Sequence, residues 1–207
     1  MIGYYNYTVI LTYVGMLTGF AGLIFAHSGN IYCSILCLLG AGFCDMFDGK
    51  IASTMKRTRE EKLFGIQIDS LSDLICFGVL PSFIVLCSCP GSIITAAVCM
   101  LYTLCALIRL SAFNVDEAIR QETMDGDRKV FKGLPVTTSA LIFPALYGIV
   151  KILGLDGRIL PTALTAVIAL CFLTPFSLRK PANLGKAIIV ILGLATLYLV
   201  YLAGGLS

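Results

Sequence analysis

The sequence has 207 residues, of which 58% are apolar and 13% are charged, and its formal net charge at pH 7 is +3. Soluble globular domains contain roughly 25% charged residues and 45–50% apolar residues. This composition excludes a soluble enzyme, a disordered protein and a nucleic-acid-binding protein, and it is typical of a chain whose solvent is mostly lipid.

Seven apolar segments follow one another along the chain, and each approaches the ~20 residues that a membrane-spanning helix needs. The two longest uncharged runs are each interpreted as two helices, because His27–Asn30 interrupts the first and Ser88–Gly91 interrupts the second. The predicted spans are 9–26, 31–52, 68–88, 92–114, 135–152, 159–176 and 187–204. We therefore expect an all-α, polytopic integral membrane protein in a single domain over residues 1–207. It has six transmembrane helices if one of the last two segments lies in the interface, and seven if both cross.

The lysines and arginines are distributed unequally between the two ends of these helices. Of the 15, 13 lie in or beside the connections after the second, fourth and sixth spans, and only Lys151 and Arg158 lie on the opposite side. Cytoplasmic connections of membrane proteins carry an excess of Lys and Arg. We therefore predict that the N-terminus and the three basic connections are cytoplasmic.

Four aspartates lie in or at the ends of two neighbouring apolar spans, where a carboxylate is costly. Inserting one at a helix centre costs roughly 2.5–3.5 kcal/mol. Asp45 and Asp48 are three residues apart at the end of the second span, and Asp69 and Asp73 are four apart at the start of the third. Each spacing places both members of a pair on one helix face. Because the two spans are antiparallel, we expect the four carboxylates to converge at the predicted cytoplasmic end.

Converging carboxylates indicate a metal site, because they would repel one another unless cations lay between them. Oxygen ligands favour hard cations such as Mg²⁺, Mn²⁺ or Ca²⁺. The single histidine, His27, lies in the connection on the other side. Two other interpretations stay open, namely helix caps and the ion pathway of a cation transporter. A transporter should carry a second polar cluster along the crossing path, and the outer halves of the spans are nearly free of ionisable residues.

Small residues accompany the aspartates at regular spacing. Gly49 and Ala52 continue the face of the first pair, and Gly65 lies one turn before Asp69. Close packing of helices would also explain these small residues. The complete pattern is Asp45-x-x-Asp48-Gly49-x-x-Ala52, followed by Gly65-x-x-x-Asp69-x-x-x-Asp73. This pattern resembles the signature of the CDP-alcohol phosphotransferase family.

One departure from the family pattern follows Ala52. The family usually has an arginine directly after this alanine, whereas here Ser53-Thr54-Met55 reads as an insertion before Lys56 and Arg57. The resemblance implies that the role of the family's arginine falls to Lys56 or Arg57. Both residues would also attract anionic lipid headgroups.

Three further blocks resemble the branch of the family that uses serine. They are Phe64-Gly65 with Asp69-Ser70-Leu71-x-Asp73 and Phe77-Gly78-x-x-Pro81, then Arg109-Leu110-x-x-Phe113-Asn114, and then Phe131-x-Gly133-Leu134-Pro135. The resemblance implies transfer of a phosphatidyl group from CDP-diacylglycerol to the hydroxyl of L-serine, with release of CMP. Glycerol 3-phosphate and inositol phosphate are the alternative acceptors within the family.

The resemblance also assigns roles to individual residues. It implies that Asp45, Asp48, Asp69 and Asp73 hold divalent cations, two ions of Mg²⁺ or Mn²⁺, at the cytoplasmic face. It also implies that the protein is a homodimer in the membrane lipid. Asp73 is interpreted as the base that takes the serine proton. The expected substrate contacts are Gly49, Ala52, Lys56, Arg57, Gly65, Ser70, Arg109 and Asn114.

Two of these substrate contacts have alternative interpretations. Arg109 is as well explained by an arginine whose head reaches the membrane interface, and Asn114 by a residue that ends the fourth helix. In the third block, Pro135 also fits the entrance of the next helix.

Overall fold

The computed structural model describes residues 3–123, 130–175, 177–179 and 183–204, and the described segments are almost entirely helical. The helices are α1 (Ile10–His27), α2 (Ile31–Ala52), α3 (Arg59–Asp73), α4 (Leu80–Ser88), α5 (Ile93–Thr123), α6 (Ser139–Leu153), α7 (Ile159–Leu173) and α8 (Asn183–Gly204). Short 3₁₀ turns, Tyr7–Val9 and Val136–Thr138, precede α1 and α6.

The predicted all-α polytopic fold is confirmed. Among the described residues, five helical stretches are long and apolar enough to cross a membrane, which are Tyr7–His27, Ile31–Ala52, Arg59–Ser88, Ile93–Ile119 and Val136–Leu153. Two shorter apolar stretches, Ile159–Leu173 and Val190–Gly204, match the sixth and seventh predicted spans. The 15 residues of α7 extend over about 22 Å, which is less than the ~30 Å thickness of the hydrocarbon core.

Two helix boundaries differ from the prediction. The third helix begins at Arg59 rather than near residue 68, because Thr58 and Glu61 form a capping box there. Arg59 and Lys62 therefore lie on the first turns of α3 and not in a loop. The fourth helix continues to Thr123, well past its predicted end at residue 114, because the prediction follows the apolar run and the polar residues after that run still form helix.

The pairing of α1 with α2 depends on close backbone approach. A Cβ at Gly22 would lie 3.0 Å from Cys37 Cβ on α2, and a Cβ at Gly19 would lie 2.5 Å from Cys76 Sγ. Such small residues let membrane helices pack without an intervening side chain. The hydroxyl of Ser34 on α2 donates to the carbonyl of Gly22 at 2.8 Å. The first helix is therefore held against both α2 and the segment that follows α3.

A π-helical turn, Leu74–Val79, joins α3 to α4, so the third span is one helical stretch. Pro81 has no N–H to donate to the carbonyl four residues earlier, which is that of Phe77. The hydroxyl of Tyr102 on α5 donates to this carbonyl at 2.8 Å and also hydrogen-bonds Ser139 at 2.7 Å. Tyr102 is fully buried and packs against the rings of Phe143 and Phe172.

A small antiparallel ribbon lies outside the helices. Strand β1 (Val130–Lys132) pairs with β2 (Ser177–Arg179), with Phe131 opposite Leu178. Neither strand is predicted from the sequence, because three-residue strands carry too little periodicity to be recognised. The predicted cytoplasmic cations Arg128, Lys129 and Lys180 lie outside the described residues.

Candidate active site

The aspartates of α2 and α3 converge, as their spacing predicts. Carboxylate oxygens of Asp45, Asp48 and Asp69 all lie within 4.8 Å of one another. The carboxyl groups of Asp45 and Asp73 contact each other, and so do those of Asp48 and Asp69. Asp48 is buried and the other three are half-buried. The arrangement places four carboxylates in one cluster at the end of the second span and the start of the third.

Helix α1 closes one side of the aspartate cluster. The hydroxyl of Thr12 donates to Asp48 Oδ2 at 3.1 Å, and the hydroxyl of Ser72 donates to the backbone carbonyl of Thr12 at 3.5 Å. The thiol of Cys76 donates to the carbonyl of Gly15 at 3.4 Å. Hydroxyl and thiol groups thus tie α1 to the helix that carries Asp69 and Asp73.

A small cavity lies among the four carboxylates. The other residues that line it are Thr12, Gly15, Ala41, Cys44, Ser72, Cys76 and Phe77. Asp73 lies one helical turn further along α3 than Asp69 and lines the same space. The cavity therefore has polar oxygens on one side and the apolar core of the bundle, including Phe77, on the other.

Arg57 lies against Gly65 beside the cluster. An added Cβ at Gly65 would lie 3.0 Å from Arg57 Nη1, so the glycine leaves room for the guanidinium. The Nε of Arg57 is buried and has no hydrogen-bond partner among the described residues. Lys56, in contrast, is exposed. A buried hydrogen-bond donor without a partner is costly. Arg57 is therefore better placed than Lys56 to bind an anion.

Gly49 borders open space and not a packed helix. Gly49 is exposed, and an added Cβ there would meet no atom within 4 Å among the described residues. Ala52, one turn later at the end of α2, is half-buried. Helix packing, which the sequence leaves open as the reason for the small residue, does not explain Gly49.

Ser70 and Asn114 contact each other across α3 and α5. The hydroxyl of Ser70 donates to Asn114 Oδ1 at 2.6 Å, and Asn114 Nδ2 donates to Gln67 Oε1 at 3.4 Å. The helix continues for nine residues beyond Asn114, so this residue does not end α5. The pair fixes the spacing of the two helices next to the aspartate cluster.

Arg109 lies against the turn that precedes α6. Its Nε donates to the carbonyl of Leu134 at 3.3 Å. Gly133 has a φ of +74°, and an added Cβ there would lie 3.1 Å from the carbonyl oxygen of Thr174 at the end of α7. Arg109 therefore supports the junction of α5, α6 and α7.

Comparison with known proteins decides the family. A model of the CDP-alcohol phosphatidyltransferase family matches residues 5–197. The chain belongs to this family. It is 34% identical over 158 residues to the CDP-diacylglycerol–serine O-phosphatidyltransferase of Saccharomyces cerevisiae, covering 70% of this chain and 56% of that protein. It is 30% identical over 139 residues to the archaetidylserine synthase of Methanothermobacter thermautotrophicus, covering 67% and 56%.

A bacterial relative matches as well. The CDP-diacylglycerol–serine O-phosphatidyltransferase of Bacillus subtilis is 33% identical over 104 residues, covering 47% of this chain and 56% of that protein. The chain thus spans little more than half the length of the curated relatives it matches. Family membership and the membrane-spanning helices together identify this chain as an integral membrane protein.

The donor set of the cluster fits a divalent metal of the kind that this family generally uses. Asp45, Asp48 and Asp69, whose carboxylate atoms lie within 4.8 Å of one another, all offer oxygen ligands. Oxygen ligands suit hard cations. Two cysteines line the cavity, but the thiol of Cys76 is engaged by the carbonyl of Gly15. The cluster of this family member could therefore hold a metal ion through carboxylates alone.

Sequence reasoning missed the residues that support the cluster from other helices. Thr12 and Ser72 are ordinary hydroxyl residues within apolar spans, and Tyr102 is one of nine tyrosines. Their contacts join residues far apart in the chain, so no local pattern marks them. Only the small residues Gly15 and Gly19, four apart on α1, offered a sequence signal for the close approach of that helix.

Proposed function

We propose that the protein transfers the phosphatidyl group of CDP-diacylglycerol to the hydroxyl of L-serine, giving phosphatidylserine and CMP. The convergence of four carboxylates within the family signature carries this proposal. Serine as the acceptor is supported by the names of relatives from yeast and Bacillus subtilis. We treat residues 1–207 as a single domain in this reaction.

Asp45, Asp48 and Asp69 are proposed to hold divalent cations, Mg²⁺ or Mn²⁺ and in all two ions, with Asp73 touching one of them. The support is the mutual approach of their oxygens, together with the engagement of the Cys76 thiol by the carbonyl of Gly15. Such cations, when bound, would neutralise the negative charge of the pyrophosphate and of the departing CMP.

Asp73 is proposed to be the general base. It lines the same cavity as the other carboxylates and contacts Asp45. In this role its carboxylate accepts the proton of the serine hydroxyl while the serine oxygen attacks the lipid-side phosphorus. The bond from that phosphorus to the oxygen of CMP breaks, so that the nucleotide carries away the electron pair.

Substrate positioning is proposed to begin with the arginine beside Gly65. The buried Nε of Arg57 has no partner among described residues, so a phosphate oxygen would satisfy it. Lys56 would add positive charge from its exposed position, and the open surface at Gly49, with the small side chain of Ala52 one turn later, would admit the nucleotide.

Ser70, Arg109 and Asn114 hydrogen-bond groups of the protein itself. Their contacts with substrate stay predictions. The hydrogen bonds that they make within the protein hold together the helices that border the site.

The active site is proposed to face the cytoplasm, where serine and the nucleotide are dissolved. The charge distribution supports this orientation. The N-terminal segment lies at the same end of the bundle, since Asn6 Nδ2 donates to Glu61 Oε1 on the first turn of α3 at 3.4 Å and Tyr7 hydrogen-bonds Thr54 in the α2–α3 connection at 3.0 Å. A homodimer, which the family resemblance implies, is proposed for the assembled protein. Crosslinking in membranes at graded protein density would detect it.

The decisive experiment measures CMP release by the purified protein in detergent. CDP-diacylglycerol and Mg²⁺ are supplied with L-serine, glycerol 3-phosphate or inositol phosphate, and Asp45→Asn serves as the inactive control. We expect release with serine that exceeds release with either phosphate acceptor. Faster CMP release with glycerol 3-phosphate or inositol phosphate would show that serine is not the preferred acceptor. Absence of CMP release with all three acceptors would overturn the proposed activity.

Metal dependence is tested in the same assay. Excess chelator is expected to abolish serine-dependent CMP release, and added Mg²⁺ or Mn²⁺ should restore it, because four uncompensated carboxylates would repel the anionic pyrophosphate. Full turnover in excess chelator would contradict the metal assignment.

A further inference from the structure

A second cavity opens at the end of the bundle opposite to the aspartates. Its volume is about 720 Å³, and it lies between the α1–α2 turn, the end of α4, the end of α6 and the α6–α7 connection. Helix α2 begins at this cavity with Ile31, and Asp45 follows 14 residues later, about 21 Å along the helix axis. The cavity is therefore separate from the aspartate cluster.

The rim of this cavity carries both cations that the sequence places on this face. Lys151 at the end of α6 and Arg158 in the α6–α7 connection both line it, as does one acid, Asp156. The ammonium group of Lys151 lies 6.0 Å from the centre of the Tyr147 ring. Two cations and one acid therefore give the rim a net charge of +1, since the tyrosines Tyr32 and Tyr147 are neutral at pH 7.

The floor of the cavity is apolar. Ile35 on α2, Ile84 and Val85 on α4 and Phe143 on α6 line it, and all four side chains belong to the buried core. Ligand cavities of roughly 300–1,000 Å³ with apolar walls and a few polar groups are typical of small-molecule sites. A charged rim above an apolar floor matches a molecule with an anionic head and a hydrocarbon tail.

The connection that carries Arg158 is anchored to the neighbouring helices. Asp156 Oδ1 accepts the backbone N–H of Arg158 at 2.8 Å. The thiol of Cys89, which follows α4, lies 3.7 Å from the carbonyl oxygens of both Gly157 and Arg158. The hydroxyl of Thr162 donates to the carbonyl of Arg158 at 2.8 Å. The backbone that presents the arginine is thus fixed at the rim.

We propose that this cavity binds an anionic phospholipid of the leaflet opposite to the active site. The lipid phosphate lies between Lys151 and Arg158, and part of an acyl chain extends over Ile35, Ile84 and Phe143. The net charge of the rim favours an anionic lipid over a zwitterionic one, and the apolar floor favours a lipid over free phosphate. The site goes beyond the proposed transferase function, because it shares no residue with the aspartate cluster.

The test uses a tryptophan reporter, since the sequence contains no tryptophan. Tyr147→Trp places the reporter in the cavity, and Leu146→Trp is a second reporter if the first does not fold. Phe20→Trp places a control at an exposed position of α1, away from the cavity. The full-length protein in neutral detergent is titrated with phosphatidylglycerol or phosphatidylcholine brominated on the acyl chains, and quenching of the fluorescence is recorded.

The cavity reporter is expected to be quenched saturably and at lower concentration by phosphatidylglycerol, while Phe20→Trp is quenched alike by both lipids. Adding Lys151→Gln and Arg158→Gln to the reporter should raise the apparent Kd for phosphatidylglycerol about 30-fold, at about 1 kcal/mol per cation. The charge-matched control Lys50→Gln/Lys62→Gln, at the other end of the bundle, should leave it unchanged.

Three outcomes would overturn the proposal. The first is equal quenching of the cavity reporter by the two lipids. The second is an unchanged Kd in the Lys151→Gln/Arg158→Gln protein. In the third, inorganic phosphate at equal concentration displaces phosphatidylglycerol completely, which would make the cavity a site for a soluble anion.

Discussion

Asp73 differs from the other aspartates in its position within the cluster. The oxygens of Asp45, Asp48 and Asp69 come within 4.8 Å of one another. Asp73 lies one helical turn after Asp69 on α3, and its carboxyl group contacts that of Asp45. This geometry supports a division in which Asp45, Asp48 and Asp69 are the main metal ligands and Asp73, beside them, takes the proton. The two roles are separable by experiment because the amide of asparagine is nearly isosteric with the carboxyl group.

Asp73→Asn is expected to reduce serine-dependent CMP release roughly 10²–10⁴-fold while leaving the affinity for CDP-diacylglycerol largely intact, because loss of a general base affects the chemical step. Asp69→Asn, the matched variant on the same face, should instead weaken metal activation and be partly rescued by extra Mg²⁺. Substrate affinity and turnover are measured on the same purified proteins. Near-normal turnover of Asp73→Asn would remove Asp73 from the base role.

The two basic residues before α3 are expected to differ in their effect. Arg57→Gln should lower kcat/KM for CDP-diacylglycerol about 10- to 100-fold, as loss of a charge-assisted hydrogen bond of roughly 1.5–3 kcal/mol predicts. Lys56→Gln removes the same charge from an exposed position. It should lower kcat/KM for CDP-diacylglycerol by several-fold at most. Steady-state kinetics of both variants checks this order, and a larger loss for Lys56→Gln would assign the phosphate contact to the lysine instead.

At the scale of the elements, the helix that carries Asp69 and Asp73 depends on a buried tyrosine from its neighbour. Pro81 leaves the Phe77 carbonyl without its usual donor, and Tyr102 supplies one. The π-helical turn Leu74–Val79 begins directly after Asp73. Single π turns inside helices are frequent at functional sites, and here the turn fixes how α3 enters the core.

Tyr102→Phe is expected to lower the free energy of unfolding by about 1–3 kcal/mol, because the buried hydrogen bonds to the Phe77 carbonyl and to Ser139 are both lost. Tyr198→Phe on α8 is the matched control, since Tyr198 is exposed and its hydroxyl removal should cost almost nothing. Thermal unfolding of both proteins in the same detergent makes the comparison. Equal midpoints would show that the Tyr102 hydroxyl adds nothing to stability.

At the scale of the whole molecule, the two cavities lie at opposite ends of the same helices. The carboxylate cavity is bordered by the cluster and Thr12, whereas the second cavity is bordered by Lys151 and Arg158. The charge distribution predicts that the first end is cytoplasmic. The orientation thus decides which leaflet lies beside each cavity.

Single cysteines in a cysteine-free background test this orientation. A cysteine at Arg59, at the start of α3, should be shielded from a membrane-impermeant thiol reagent added to intact cells, whereas one at Arg158 should react. Both positions are exposed, so burial does not explain a difference between them. Labelling after membrane disruption provides the control for reactivity. Reaction at Arg59 in intact cells would invert the predicted topology.

The sequence by itself determined the membrane class, the seven apolar helices and the facing aspartate pairs. Hydropathy is a sum over neighbouring residues, and a spacing of three or four fixes the helix face, so both are local properties. The start of α3 at Arg59 was missed although the Thr58–Glu61 capping box is also local, because the apolar run begins later and dominated the prediction.

Only the tertiary structure decided which distant residues meet at each site. Thr12 lies 36 residues from Asp48, and Lys151 and Arg158 lie more than 100 residues from the α1–α2 turn with which they enclose a cavity. Tyr102 likewise finds the Phe77 carbonyl 25 residues away. Such contacts depend on how helices pack, and packing is set by the shapes of whole faces in lipid, where small residues allow backbones to approach. No single spacing in the sequence encodes them.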